Sequence, residues 1–114
     1  MQYLSDKDRA NFFGILDSID SIINFTSEYE DAASFYKDKK TFDAVLMNFI
    51  VIGELVGRLP GEIKLKLNKI PWQRVQSFRN MIAHDYFGIN ADIVWEIIEK
   101  EIPIIKSLIE DILI

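Results

Sequence analysis

The sequence contains no cysteine and a single histidine, His84. Without cysteine there is no disulfide framework and no thiolate metal site. One histidine alone makes a structural zinc site improbable. The chain also lacks a P-loop, a dinucleotide-binding glycine pattern, a paired-histidine zinc motif and a calcium loop. We therefore expect neither a cofactor nor a bound metal.

Long hydrophobic runs are also missing. The longest, such as residues 49–52, are far shorter than the roughly 20 residues that span a bilayer. Residues 1–8 lack the basic start and apolar core of a signal peptide. The length of 114 residues, with 49% apolar and 27% charged residues, is typical of one globular domain. We expect a single cytoplasmic domain over residues 1–114, without membrane association.

Charge is distributed unevenly along the chain. The net charge is −5, which argues weakly against a general nucleic-acid binder. Residues 58–79, however, hold six cations and one acid, and this positive segment leads directly into the stretch that contains His84. The segment is either an ordinary solvated surface or an anion-attracting surface beside a reactive site.

Helical periodicity dominates the first half of the chain. Ser5 or Asp6 can cap a first helix that reaches the high twenties, and a short helix can follow over residues 31–36. Thr41 is a good N-cap for a second long helix from Phe42 to Leu59. Few positions of this second helix are charged, so we expect it to be buried on two sides.

Glu54 is the exception within this apolar run. Arg58 follows it at i+4, the favourable acid-before-base order on a helix. The main interpretation is a local structural ion pair between the two side chains. The alternative is a supporting role at a functional site.

The second half is also predicted to be helical. Residues 62–67 alternate apolar and basic side chains, but a lone strand would lack a partner, so a short helix is preferred. Pro71 fits position N1 of a helix that ends near residues 84–86. Asn90 can cap a final helix that Pro103 kinks or divides. The expected fold is all-α, a four-helix up-and-down bundle with a short additional helix, and the broad apolar face of the last helix favours a dimer or a bound partner.

The segment Arg79-Asn80-Met81-Ile82-Ala83-His84-Asp85-Tyr86 concentrates the versatile side chains of the protein. His84 titrates near neutral pH and can act as a general acid or base. Arg79 can grip a phosphate, and Asn80 can orient the imidazole or donate to a phosphoryl oxygen. These groups suit metal-independent RNA cleavage, in which a base activates the ribose 2′-hydroxyl. The alternative is structural: a histidine that caps a helix end, a solvated arginine and a core tyrosine.

The spacing of Arg79 and His84 restricts how they can cooperate. Five residues on a helix correspond to roughly 140° of rotation, so the two side chains do not meet side by side within one regular helix. The arginine can reach over, the helix end can unwind, or a second copy of the helix can bring its own pair close. The last possibility makes a site at a dimer interface attractive.

The chain resembles the HEPN superfamily and, within it, the HepT-like toxins. Arg79-Asn80-x-x-x-His84-x-Tyr86 looks like the family's R-x4-6-H motif with its downstream tyrosine. Further similar segments lie in the same order along the chain: Ile52-Gly53-Glu54, Pro71-Trp72, and residues 93–98 followed by Pro103.

This resemblance implies a helical bundle that dimerises and joins two motif copies in a cleft for RNA. Arg79 and His84 would be catalytic, Asn80 would support them, and Glu54 and Arg58 are candidates for a supporting layer behind them. A cognate minimal nucleotidyltransferase antitoxin would transfer AMP to Tyr86 and so block the ribonuclease. The competing interpretations are a non-catalytic helical adaptor that binds and orients a nucleotidyltransferase, and a purely structural dimer.

Overall fold

The computed structural model describes residues 4–114, and all regular structure in this range is helical. Residues 1–3, part of the N-terminal stretch considered above, lie outside the described residues. No helix in the described range has the length and apolar character of a membrane span, and no three acidic or histidine side chains there cluster as metal ligands would. The elements are α1 Asp6–Thr26, α2 Ala32–Lys37, α3 Lys39–Arg58, α4 Gly61–Lys66, α5 Trp72–His84, a 3₁₀ turn Tyr86–Gly88, α6 Ala91–Lys100 and α7 Ile102–Leu113.

Helix α3 is the centre of the fold. It packs against α1 and α5, while α1 also contacts α7 and α2 contacts both α3 and α6. The all-α class is confirmed for residues 4–114. The two-sided burial expected for α3 is wrong: its buried residues follow one another at three- and four-residue spacing and form one stripe, while Met47, Val51 and Arg58 on the opposite face are exposed. The up-and-down bundle order and the dimer stay predictions. The largest fully buried side chains are Phe12, Phe35, Ile15, Ile19, Ile22, Leu46, Ile82 and Ile109.

The start of α3 differs from the prediction. The cap is Asp38, not Thr41, and the helix begins at Lys39. The Asp38 carboxylate accepts hydrogen bonds from the Thr41 backbone N–H at 3.2 Å and from the Thr41 hydroxyl at 2.9 Å. A carboxylate at this position satisfies the free N–H groups and favours the positive end of the helix dipole. Helices α2 and α3 are therefore separated by one residue.

Most other predicted boundaries are confirmed. The Ser5 hydroxyl caps α1 by accepting from the Asp8 backbone N–H at 3.0 Å. The segment predicted as helix rather than strand forms α4, and Asn90 caps α6. Pro71 precedes α5 instead of occupying its first position. Pro103 divides the final helix, because a residue without an N–H is tolerated only in the first turn of α7.

Helix α1 buries one face and leaves two of its phenylalanines partly exposed. Phe13 and Phe25 are 51% and 42% exposed, whereas Ile15 is buried. Gly14 explains how α1 meets α3: a Cβ atom there would lie 2.9 Å from the Leu55 side chain. Glycine at position 14 therefore leaves space for the Leu55 side chain where α1 meets α3.

Candidate active site

Helix α5 carries the candidate motif and is anchored along its inner face. The Trp72 indole N–H donates to the carbonyl oxygens of Lys64 and Leu67, at 3.1 Å each. The Phe78 ring packs edge-to-face on Phe49 with centroids 4.9 Å apart. These contacts fix the axial rotation of α5, so the opposite face is directed to solvent.

A glycine on α3 determines where Arg79 lies. A Cβ atom built on Gly53 would be 2.3 Å from Cβ and 2.4 Å from Cγ of Arg79. No larger residue fits there without a shift of the backbone, because the position of the Arg79 Cβ is set by α5 and no side-chain rotation moves it. The aliphatic stem of Arg79 therefore crosses α3 directly over Gly53.

The crossing brings Arg79 to Glu54. Its Nη2 atom donates to the Glu54 carboxylate, and its Nη1 atom donates to the Asn80 side-chain oxygen at 3.1 Å. The predicted pair of Glu54 with Arg58 is wrong: the carboxylate takes its partner from α5 because Gly53 allows the two helices to approach closely. Both side chains are partly exposed, so the pair contributes at most about 1 kcal/mol to stability. Its main effect is to orient the guanidinium.

His84 is the last residue of α5 and is exposed to solvent. Its imidazole makes no hydrogen bond or ion pair within residues 4–114. Asn80, one turn earlier, is bonded to Arg79 and not to the imidazole. The helix stays regular up to His84. Within one chain, Arg79 and His84 therefore make no hydrogen bond to each other, which agrees with the prediction from their five-residue spacing.

Tyr86 follows in the 3₁₀ turn, and its side chain is half-buried. The phenol O–H donates to the Asp43 carboxylate on the first turns of α3, which also forms an ion pair with Lys39 at 3.0 Å. Burial and the hydrogen bond to Asp43 raise the pKa of Tyr86 from 10.0 to about 12. The hydrogen bond from Tyr86 and, to a smaller extent, the hydrogen bond from Lys39 lower the pKa of the Asp43 carboxyl group.

Asp43 was not among the site residues predicted from the sequence. It lies eleven residues before Glu54, which on a helix is nearly the same face and roughly 16 Å along the axis. One face of α3 thus holds both ends of the motif, Arg79 through Glu54 and Tyr86 through Asp43. The signal available in the sequence was an acidic residue eleven positions before Glu54, on nearly the same face of α3.

Apolar side chains are exposed beside the motif. Met47 is 58% and Val51 37% exposed, one turn apart on α3, and Met81 on α5 is 49% exposed. We call these three residues the methionine patch. Met47 and Val51 lie on one face of α3, and exposed apolar side chains of this kind are characteristic of surfaces that contact another protein.

Comparisons with known proteins agree with the sequence resemblance. The family model described as ribonuclease HepT-like matches residues 15–112. "Putative RNase MJ0127" of Methanocaldococcus jannaschii is 38% identical over 105 residues, which cover 92% of this chain and 86% of the relative. "Probable ribonuclease HepT" of Thermococcus cleftensis is 34% identical over 98 residues, with 84% and 86% covered.

A third relative, "Putative RNase TTE0752" of Caldanaerobacter subterraneus subsp. tengcongensis, is 39% identical over 79 residues, covering 69% of this chain and 70% of the relative. No solved structure shows significant similarity to the chain. The family model spans the site from α1 to α7, including Glu54, Arg79 and His84. The chain therefore belongs to the HepT-like ribonuclease family.

Proposed function

We propose that this protein is a metal-independent endoribonuclease in which Arg79 and His84 perform the cleavage. The observation that carries the proposal is the arrangement on α5. A lone histidine without a hydrogen-bond partner in residues 4–114 and an arginine held by Glu54 lie on one helix of a HepT-like ribonuclease chain. A free imidazole can exchange protons with a substrate, and an oriented guanidinium can bind phosphate.

The chemistry requires a ribose 2′-hydroxyl. His84 accepts the 2′-hydroxyl proton while the 2′-oxygen forms a bond to phosphorus and the bond from phosphorus to the 5′-oxygen breaks. An imidazolium returns a proton to the departing 5′-oxygen, so a 2′,3′-cyclic phosphate and a 5′-hydroxyl result. Arg79 stabilises the negative charge that develops on the phosphoryl oxygens. DNA lacks the attacking hydroxyl and should resist cleavage.

We place the complete site between two copies of the chain. Arg79 is directed onto α3 by Gly53 and Glu54, whereas His84 is exposed at the end of α5. The methionine patch lies on the same two helices and offers an apolar surface for a symmetric contact. A second copy could then supply the histidine that complements Arg79.

Supporting roles follow from the contacts. Glu54 and Asn80 hold the two terminal nitrogens of Arg79, so both position the guanidinium. Arg58 does not form the predicted ion pair with Glu54, and it is exposed one turn after Glu54 on α3. We expect Arg58 to contact substrate and not the Arg79–Glu54 pair.

We further propose that the protein is the toxin of a toxin–antitoxin pair, and that a nucleotidyltransferase partner inactivates it by transferring AMP to Tyr86. The phenol of Tyr86 lies beside a surface concavity lined by Lys37, Lys39 and the almost fully exposed Phe87. Lysines suit the phosphates of a nucleotide, and an exposed aromatic ring suits a partner surface. An attached AMP would remove the proton that binds Asp43 and add negative charge near the RNA site.

Purified protein incubated with RNA, beside the His84→Ala variant, tests the ribonuclease. We expect cleavage by the wild type in the presence of a chelator and none by the variant. A DNA strand of the same sequence is the substrate control. Equal cleavage by both proteins, or cleavage by neither, would contradict the proposed activity.

A non-catalytic adaptor is the second candidate, and exposed apolar residues on the last two helices favour it. Ile93 on α6 is 48% and Ile104 on α7 is 61% exposed, so a partner could dock there without using the motif. This candidate predicts a stable complex with a nucleotidyltransferase, no RNA cleavage and no growth defect when the protein is expressed alone.

Intact mass after co-expression with a nucleotidyltransferase tests the modification separately. We expect an added AMP on the wild type and none on Tyr86→Phe. An adduct that persists in this variant would show that Tyr86 is not the acceptor.

A further inference from the structure

A polar groove runs between α3 and α5 beside Arg79. Its floor is open because two positions of α3 on this side are glycines. At Gly57, a Cβ atom would lie 3.3 Å from the Gln76 side-chain nitrogen, so glycine leaves space for that carboxamide. Arg58 and Asn80 border the same groove. The groove is therefore lined by amides and guanidinium groups, with Glu54 as its single acid.

Some polar side chains in this groove already have hydrogen-bond partners within the chain, and others do not. Glu54 and the Asn80 oxygen are occupied by Arg79. Arg58 and Gln76 make no side-chain hydrogen bond or ion pair in the part of the chain that the structure describes. The Arg79 Nε atom is buried and also lacks a hydrogen-bond partner there. A guanidinium and a carboxamide therefore remain available to a ligand, next to the arginine that would hold the scissile phosphate.

We propose that this groove binds one nucleotide of single-stranded RNA adjacent to the cleaved bond, with Arg58 on its phosphate and Gln76 on its base. This inference rests on the proposed ribonuclease activity and adds to it a residue that determines base preference. Gln76, Asn80 and His84 follow one another at single turns along α5, so Gln76 lies about 12 Å along the helix axis from His84. A strand that reaches the motif can extend along α5 into the groove.

The chemistry of Gln76 indicates which base fits. A carboxamide offers a donor and an acceptor side by side and can form two hydrogen bonds with the N6 and N7 atoms of adenine. Unstacked bases of single-stranded RNA expose these edges. A carboxylate can only accept and instead favours the N4 amino group of cytosine. Gln76→Glu should therefore shift the preference from adenine towards cytosine.

Cleavage of an RNA library with randomised positions, read by sequencing of the products, tests the base contact. The wild type should prefer adenine at one position beside the cut. Gln76→Ala should abolish the base preference at that position, and Gln76→Glu should change the preference to cytosine. The base preferences at the other positions should stay the same. A wild-type profile without an adenine preference, or variant profiles equal to the wild type, would overturn the assignment.

Binding of a non-cleavable 2′-O-methyl RNA oligonucleotide tests the phosphate contact without cleavage. Arg58→Gln should weaken binding about tenfold, since a hydrogen bond to a charged group is lost. Lys40→Gln is the matched control, because it removes one positive charge about 27 Å away at the other end of α3. Equal affinities for the two variants would refute the Arg58 contact. Absence of cleavage by the wild type would refute the proposed activity instead.

Discussion

Substitution of Gly53 by alanine tests how Arg79 is positioned. The added Cβ would lie 2.3 Å from Cβ and 2.4 Å from Cγ of Arg79, and rotation about χ1 can move Cγ but not Cβ, so the contact is not relieved without a shift of the backbone. Overpacking of this kind costs about 1–3 kcal/mol, and the severity of the contact favours the upper end. Alanine recovers about 1 kcal/mol of helix propensity relative to glycine. The net loss should be about 2 kcal/mol, which lowers Tm by roughly 8 °C in a chain of this size.

Gly57→Ala is the matched control, one turn further along α3. Its Cβ would meet only the flexible end of the Gln76 side chain, at 3.3 Å. The helix propensity gain should therefore dominate, with stabilisation of up to about 1 kcal/mol. Thermal unfolding followed by circular dichroism measures both variants. RNA cleavage by Gly53→Ala, assayed where the variant is fully folded, should also fall because Arg79 is displaced.

The reasoning would be refuted if Gly53→Ala unfolded at or above the wild-type temperature. Such a result would mean that α3 and α5 do not cross as closely as the structure shows. Normal stability with reduced cleavage would contradict the packing argument as well, since the same contact underlies both effects.

Three further predictions concern single contacts. His84→Ala should abolish RNA cleavage while changing the free energy of unfolding by less than about 0.5 kcal/mol, because the exposed imidazole has no hydrogen-bond partner in residues 4–114; urea titration checks the stability. Glu54→Gln should reduce RNA cleavage because Arg79 loses its orientation, yet it should lower the free energy of unfolding by less than about 1 kcal/mol because the ion pair is partly exposed. A much larger loss of stability would show that the ion pair is structural. From neutral pH up to pH 10.0 the hydrogen bond from Tyr86 to Asp43 stabilises the protein fully, and this contribution is lost as pH rises towards about 12, where the folded-state phenol ionises. The stability difference between wild type and Tyr86→Phe should therefore shrink in this window, and a pH-independent difference would argue against the bond.

Periodicity and cap residues predicted most helices because their causes are local. Ser5 and Asn90 satisfy the N–H groups of the turns that follow them, and Pro103 is tolerated only in the first turn of a helix. The error at Thr41 arose because two good caps compete, and the sequence does not show that Asp38 accepts two bonds from Thr41.

Contacts between helices were predictable only in part. The i+4 spacing of Glu54 and Arg58 suggested a local pair, but the partner of Glu54 comes from 25 residues away. That outcome depends on Gly53, whose lack of a side chain determines the distance between α3 and α5. The bond of Tyr86 to Asp43 spans 43 residues, and the only signal for it in the sequence was the position of Asp43 on the same face of α3 as Glu54. Residue types at the motif were therefore identifiable from the sequence, whereas the side chains that hold them required the fold.

The central claim is that two chains share one cleavage site. It is tested most directly by mixing the Arg79→Ala and His84→Ala variants under conditions that allow subunit exchange. Each mixed dimer would contain one intact pair, so the mixture should recover about a quarter of wild-type RNA cleavage, although neither variant alone is active. A mixture that is shown by mass spectrometry to contain mixed dimers, yet remains inactive, would contradict the shared site.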